Sequence, residues 1–206
     1  QKMGHYYRKW IVPQVIKRAA RIITVSEYEK KSITDTLHLA PDFVHVVYNG
    51  VADIFTTKSG NDSNPFCLFH ALPKRFILFL GNEAPKKNMK RFLQAYADYI
   101  NKDNASIPLV LVETSNEQLN HTLKELQIEF IRPKIFLTGY VSQPKLAKLY
   151  RLATLFVYPS LQESFGIPLI EAMASGTPVI TSDTTALPEI AGNAAWLIDP
   201  LDVKQM

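Results

Sequence analysis

The sequence predicts an α/β fold built on an open, doubly wound parallel sheet with helices on both faces. Short runs that are apolar throughout alternate with helical patterns of roughly 10–15 residues. Those runs lack the in–out alternation of a sheet with one wet face, so both faces must be covered. At 206 residues and 47% hydrophobic content, the chain is long and apolar enough to bury such a core.

Taken in order, Arg21-Ile-Ile-Thr-Val25 reads as a strand, and Ser26 with Glu29 three residues later forms a capping box that opens a helix to about Leu37. Phe43-Val-His-Val-Val47 is a second strand, stopped by Asn49-Gly50. Residues 56–66 are polar and turn-rich, which predicts a surface loop. Phe76-Ile-Leu-Phe-Leu80 is a strand, followed by a helix from Asn88 that repeats Phe92, Tyr96, Tyr99 and Ile100 on one face. Pro108-Leu-Val-Leu-Val112 is a strand, and the helix after it carries Leu119, Leu123 and Leu126. Lys134-Ile-Phe-Leu-Thr138 and Thr154-Leu-Phe-Val-Tyr158 are strands on either side of a helix bearing Leu146, Leu149 and Tyr150. Gly166 and Pro168 suit the start of a further helix running to about Ser175, with Gly176 as its C′ residue. Pro178-Val-Ile-Thr181 is the last strand of this reading. The doubly wound domain then occupies residues 43–206, and residues 1–42 read as the final helix–strand–helix of a preceding domain.

Bulk properties narrow the function. Lys and Arg exceed Asp and Glu by 23 − 19 = 4, a mild basic excess that suits an anionic small molecule or membrane surface and falls short of a nucleic-acid footprint. Cys67 is the single cysteine, so no internal disulfide forms, which suits a reducing compartment. No run of 18 apolar residues is present to span a membrane. The chain begins at Gln1 without a signal-peptide pattern and stops where a new helix starts, so both ends read as cut.

In an open parallel sheet, ligands bind outside the carboxyl ends of the strands. The segments that follow three of the strands converge there: Gly81-Asn-Glu-Ala-Pro-Lys-Lys-Asn88, Gly139-Tyr-Val-Ser142 and Pro159-Ser-Leu-Gln-Glu-Ser-Phe-Gly166. Gly81 allows a ligand close to the backbone, and Lys86 and Lys87 supply positive charge before a helix start. On spacing alone, Lys86, Lys87, Lys90 and Arg91 equally suit a solvated helix face. Glu163 sits in the loop entering the next helix and Glu171 about one turn inside it. Neither lies on an apolar face that would require burial. Glu163 also suits the helix dipole, and Glu171 an ordinary surface position. Two carboxylates beside phosphate-binding amides would repel an anion if they faced it, whereas they accept well from neutral hydroxyls. A diphosphate flanked by two hydroxyl-rich groups, a nucleotide-sugar, meets both needs.

The segment Glu163-Ser-Phe-Gly-Ile-Pro-Leu-Ile-Glu171-Ala-Met-Ala-Ser-Gly-Thr-Pro-Val179 resembles the E-x7-E signature of group 1 (family 4) retaining glycosyltransferases of GT-B architecture. Val25-Ser-Glu, the hinge-like Tyr48-Asn-Gly-Val51, the loop Phe79 to Asn88, the turn Leu137-Thr-Gly-Tyr-Val141 and Leu187-Pro-Glu-Ile-Ala-Gly192 agree with that family in order and spacing. The resemblance implies that residues 43–206 form the Rossmann-like donor-binding domain and residues 1–42 the tail of the acceptor domain. It implies catalytic roles for Glu163, on hydroxyls of the donor sugar, and for Lys87, on the diphosphate with Gly81 and Lys86. It places Glu171 on the ribose, and Gly139, Tyr140 and Val141 on the base. Ser164 and the backbone of Phe165, Gly166 and Ile167 would meet the sugar or phosphate. Many relatives carry Arg where Asn82 stands; Asn donates hydrogen bonds without neutralising charge, so more of that work falls to Lys87 and Lys86.

The implied reaction transfers a hexosyl unit, with retention, from a nucleotide-diphosphate-sugar to a glycan or lipid-linked acceptor of polysaccharide or lipopolysaccharide synthesis. The phosphate loop suggests a mannosyl- or rhamnosyl-type enzyme. The resemblance implies no metal and no cofactor, a cytoplasmic location that can include the inner face of the membrane, and any peripheral membrane association through the missing amino-terminal domain. In keeping with this, the chain has no Asp-x-Asp, and His5, His38, His45, His70 and His121 show no ligand spacing. The rival reading is a non-catalytic nucleotide-binding module or partner subunit of the same fold. A dehydrogenase reading lacks a Gly-x-Gly-x-x-Gly after any strand.

Overall fold

A computed structural model describes residues 10–16, 18–57, 72–81, 84–102 and 106–206. The chain divides into two units, Gln1–Gly50 and Val51–Met206. In the first, helix α1 (Val12–Ile16) precedes strand β1 (Ile22–Thr24), helix α2 (Glu27–Leu37) and strand β2 (Val44–Val46). The expected cap is present: the Ser26 hydroxyl accepts from the Glu29 amide at 3.1 Å. β1 and β2 pair in parallel from Ile22 opposite Val44 to Thr24 opposite Val46. This corrects the expected boundary at residue 43. The apolar run 43–47 suits either sheet, but its ladder partner is β1, reached by the α2 crossover, so the strand belongs to the first unit.

The second unit holds strands β3 (Ile77–Leu80), β4 (Leu109–Val112), β5 (Ile135–Gly139), β6 (Leu155–Tyr158), β7 (Val179–Ser182) and β8 (Trp196–Ile198). They form one six-stranded sheet in the order β5-β4-β3-β6-β7-β8, every pair parallel. Between them run α3 (Met89–Lys102), α4 (Asn116–Glu125), α5 (Gln143–Leu152), α6 (Ile167–Ala174) and α7 (Leu187–Ala191). The chain lays strands outward on one side of β3, then returns to its other side with β6. The order of growth therefore reverses between β3 and β6.

Alternate residues of the central strands build two cores. Ile77, Phe79, Leu109 and Leu111 pack with Phe92, Leu93 and Tyr96 of α3 and Leu119 and Leu123 of α4. Leu78, Val110, Phe156 and Tyr158 pack on the other face with Leu149 and Tyr150 of α5, Leu169 and Ala172 of α6, and Leu187 of α7. Leu109, Val110 and Leu111 are wholly buried in consecutive positions, which is why this strand reads as an unbroken apolar run. Each such side chain contributes about 1.5–3 kcal/mol by leaving water.

Two departures from the sequence reading have local causes. β8 went unread because it is an edge strand with Trp196 71% exposed, so its pattern is not that of a covered strand. The helix expected from Asn88 begins at Met89. A single 3-10 turn, Pro85–Lys87, precedes it, and Asn88 takes a left-handed conformation (φ 59°) between the two. The loop expected at 56–66 lies, from residue 58 on, outside the described residues.

Leu111→Ala should reduce unfolding free energy by about 2–5 kcal/mol with an unchanged denaturant slope, measured by urea unfolding followed by circular dichroism.

Candidate functional site

The reversal of strand order places the carboxyl ends of β3 and β6 side by side, with Ile77 opposite Leu155 and Leu78 opposite Phe156. A ligand crevice of a doubly wound sheet lies at such a point. The segments leaving the two strands are tied together there. The Leu161 amide donates to the Lys86 carbonyl at 2.7 Å. The buried Asn88 amide group donates to the carbonyls of Pro159 (3.1 Å) and Pro200 (2.6 Å), so its left-handed backbone is held by the loop after β6. Gly81 is needed for packing: a Cβ there would collide with the Phe79 ring, which is locked in a 4.5 Å stack on Phe92. The Gly81 carbonyl accepts from the Thr114 hydroxyl at 2.7 Å.

This bracing brings Lys87 and Glu163 together across 76 residues of chain. Lys87 Nζ lies 2.9 Å from Glu163 Oε1 and donates to the Tyr158 hydroxyl at 3.0 Å. The Tyr158 hydroxyl in turn donates to the same Glu163 oxygen at 2.8 Å, and its ring centroid lies 4.8 Å from the ammonium. Lys86 Nζ lies 3.7 Å from Glu163 Oε2. Burial acts to raise the Glu163 carboxyl pKa, but the hydrogen bond and charge of Lys87, with the Tyr158 hydroxyl and Lys86, outweigh it and hold the group below the usual carboxylate value. Burial first, and then the Glu163 carboxylate, push the Tyr158 hydroxyl far up, so it stays protonated and donating. The backbone of Glu163 is held from β7's side. Its amide donates to Thr185 Oγ1 at 3.3 Å, and its carbonyl accepts from the Ala186 amide at 3.4 Å. Thr185 sits at φ 60°, an unusual conformation for a β-branched residue that costs about 1–2 kcal/mol.

Glu171 is held differently. Gly166, at φ 99°, turns the chain into α6, and Pro168 fits the first turn as expected. Glu171 follows in the next turn, between the fully buried Leu169 and Ala172, and is itself only 9% exposed. The sequence reading required no burial here. The structure buries the residue because α6 is packed between α5 and α7, which leaves its helix little free surface. The Tyr150 hydroxyl donates to Glu171 Oε2 at 3.3 Å. Burial raises this carboxyl pKa, and the single hydrogen bond from Tyr150 only partly offsets it. Tyr150, Phe156 and Tyr158 form one buried row, with centroids 5.2 and 5.7 Å apart, so the same row delivers one hydroxyl to each glutamate.

The other expected residues spread along the same sheet edge. Gly139 ends β5, two strands out from β3, and Tyr140 and Val141 follow it, Tyr140 being 84% exposed. Ser164 is exposed, Phe165 and Gly166 are buried, and Ile167 is exposed at the head of α6. Asn82 lies outside the described residues. Tyr158, Tyr150, Asn88 and Thr185 were not read as site residues. The signal available for the tyrosines was a polar hydroxyl on an otherwise apolar buried strand or helix face, which must find a partner. A cavity of about 520 Å³ on the α3 face, lined by Tyr96, Tyr99, Leu155, Val157 and Ile180, contains none of the site residues. Among the described residues, no cluster of three His, Cys, Asp or Glu is placed to hold a metal, and no helix is long and apolar enough to cross a membrane.

A six-stranded parallel sheet covered on both faces, with a cation and a carboxylate in contact where its strand order reverses, is an α/β domain of GT-B type. The chain belongs to the group 1 glycosyltransferases: the model of the family described as glycosyl transferases group 1 matches residues 61–206, and that of glycosyltransferase family 4 matches residues 1–53. It is 29% identical over 198 residues to O-antigen chain mannosyltransferase B of Escherichia coli, covering 96% of this chain and 52% of that protein. It is 30% identical over 201 residues to the O-antigen chain mannosyltransferase RfbU of Salmonella typhimurium, covering 96% and 52%. The chain thus spans about half the length of these curated relatives. Among solved structures it resembles Anabaena HepE in complex with UDP and glucose, with a TM-score of 0.74 at 18% identity over 95% of this chain and 54% of that one.

Lys87→Ala should lower stability by about 1–3 kcal/mol, because a largely buried carboxylate loses its main partner. In a double-mutant cycle with Glu163→Ala, the second change should cost clearly less than it does alone. Glu171 provides a test of opposite sign. With its folded-state pKa above 4.5, the folded chain holds the proton more tightly than the unfolded one, so its contribution weakens as pH rises through and above that value. Glu171→Gln keeps an acceptor for Tyr150 and removes the charge. It should raise the melting temperature at pH 7 by a few degrees and leave it nearly unchanged at pH 4.

Proposed function

We propose that this chain holds the nucleotide-diphosphate-sugar donor of a retaining glycosyltransferase that passes a hexosyl unit, mannose being the best candidate, to a glycan or lipid-linked acceptor of a surface polysaccharide. The observation that carries the reading is the meeting of Lys86, Lys87 and Glu163 at the switch point, with Glu171 on the helix that starts beside them. Support for the sugar comes from the two O-antigen mannosyltransferases. Support for the donor class comes from the HepE complex.

In this reading Lys87, aided by Lys86 and by Asn82, receives the diphosphate, and Gly81 and the backbone at Phe165, Gly166 and Ile167 line its path. Ser164 and Glu163 receive the donor sugar. Glu171 accepts from the ribose hydroxyls, and Gly139, Tyr140 and Val141 flank the base. As the bond from sugar to phosphate breaks, negative charge grows on the departing diphosphate while the sugar turns oxocarbenium-like. A fixed ammonium beside that oxygen is stronger in the transition state than before it, and that difference accelerates the step. Glu163, kept ionised by its lysines, faces the sugar that gains positive character. The acceptor attacks from the side the diphosphate leaves, which retains configuration. Residues of the preceding unit belong, in this reading, to the tail of an acceptor-binding domain. A lipid-linked acceptor places the reaction at the inner face of the membrane.

Calorimetric titration of the chain with UDP, GDP, ADP and their sugar forms tests the reading. One base should bind in preference to the others, and Glu171→Ala should weaken that nucleotide by roughly 10–100-fold, the worth of hydrogen bonds to a charged group. Absence of binding by every nucleotide would remove the donor role and leave the non-catalytic partner subunit.

A further inference from the structure

Lys87 already has an anionic partner. Its ammonium is 2.9 Å from Glu163, and both side chains are mostly withdrawn from water, 17% and 12% exposed. A diphosphate that takes Lys87 therefore meets a fixed carboxylate of its own sign. Glu163 has little freedom to withdraw: the Tyr158 hydroxyl holds its Oε1, while Thr185 and Ala186 hold its amide and carbonyl. Lys86, 53% exposed and 3.7 Å from Oε2, adds a second cation but contacts the same carboxylate. The three charged groups sum to +1, where the two lysines alone would present +2.

The geometry points to Glu163 as the residue that discriminates a nucleoside diphosphate bearing a hexose from a bare one, by competing for Lys87 whenever no sugar hydroxyls occupy it. This rests on the donor-binding reading above and extends it. Hydroxyls of a bound hexose donate to the carboxylate, spread its charge and compensate its repulsion of the diphosphate. A bare nucleoside diphosphate brings no such donors. The carboxylate then repels its phosphates and draws Lys87 back, in a site shielded enough for both effects to be felt. The same residue that recognises the sugar thus weakens the hold on a nucleotide without one, which favours exchange of the spent form for a fresh donor.

The test uses the full 206-residue chain. Glu163→Gln preserves shape and an acceptor for Tyr158 while removing the charge, and calorimetry with GDP, UDP, GDP-mannose and UDP-glucose reads the result. The Gln variant should bind the preferred bare nucleoside diphosphate about tenfold more tightly than the unsubstituted chain, equivalent to about 1.4 kcal/mol. Its preference for the sugar-bearing form should fall. Glu163→Ala, as a second removal of charge, should show the same gain, and Glu163→Asp should not. Bare-nucleotide affinity that stays equal or drops in both the Gln and Ala variants overturns the inference while leaving the donor reading intact. Failure of the unsubstituted chain and all variants to bind any of the four probes overturns both. In a Lys87→Ala background, Glu163→Gln should give clearly less than tenfold; an undiminished gain shows that the competition is not for Lys87.

Discussion

The contact between Lys87 and Glu163, bridged by the Tyr158 hydroxyl, is the interaction on which the site's organisation depends. It joins residues 76 positions apart, and each lies in a segment that has no regular ladder to hold it. The sheet makes the contact possible by setting β3 and β6 side by side with their ends level. The backbone bond from Leu161 to Lys86 and the side-chain bond from Asn88 to Pro159 then remove the slack. Without the reversal of strand order, the two loops would leave from strands that are not neighbours and the charges would stay apart.

Beneath that contact, one row of buried aromatic rings serves two carboxyls with opposite outcomes. Tyr158 is the third member of a group that already holds a lysine, so Glu163 stays readily ionised despite its burial. Tyr150 is the partner that accompanies Glu171, with no cation in the described contacts of that carboxyl, so burial prevails and the proton is held more tightly. Two chemically identical side chains eight residues apart are thereby given different electrostatic characters. A ligand that donates hydroxyls relieves both, one by sharing a charge already balanced and the other by solvating a charge that is not.

Much of the framework is legible along the chain because it depends on local or periodic signals. Leu109 to Val112 reads as a central strand because every position is apolar, and it is buried on both faces. Ser26 caps its helix as its spacing with Glu29 indicates, and Gly166 turns the chain with a backbone conformation that other residues resist. The misplaced elements lack such signals. Val44 to Val46 carries the pattern of a strand but no mark of which sheet it joins, since ladder pairing is chosen by connectivity. Trp196 to Ile198 forms an edge whose exposed face does not look covered. Gly81 reads as room for a ligand, and the Phe79 ring adds a packing reason for glycine there that the spacing does not carry.

The sequence by itself determined the fold class and the placement of Lys86, Lys87, Glu163 and Glu171 on the segments that leave the carboxyl ends of the strands. These follow from hydrophobic periodicity, helix-start chemistry and the rule that parallel strands present their carboxyl ends to ligands. Tertiary structure alone decided that Lys87 is paired with Glu163, that Glu171 is buried, and that Tyr150 and Tyr158 hold the two glutamates. Those outcomes depend on distances between side chains brought together by strand order and helix packing, and on the depth at which each charge is placed. Neither quantity is carried by the spacing of residues along the chain.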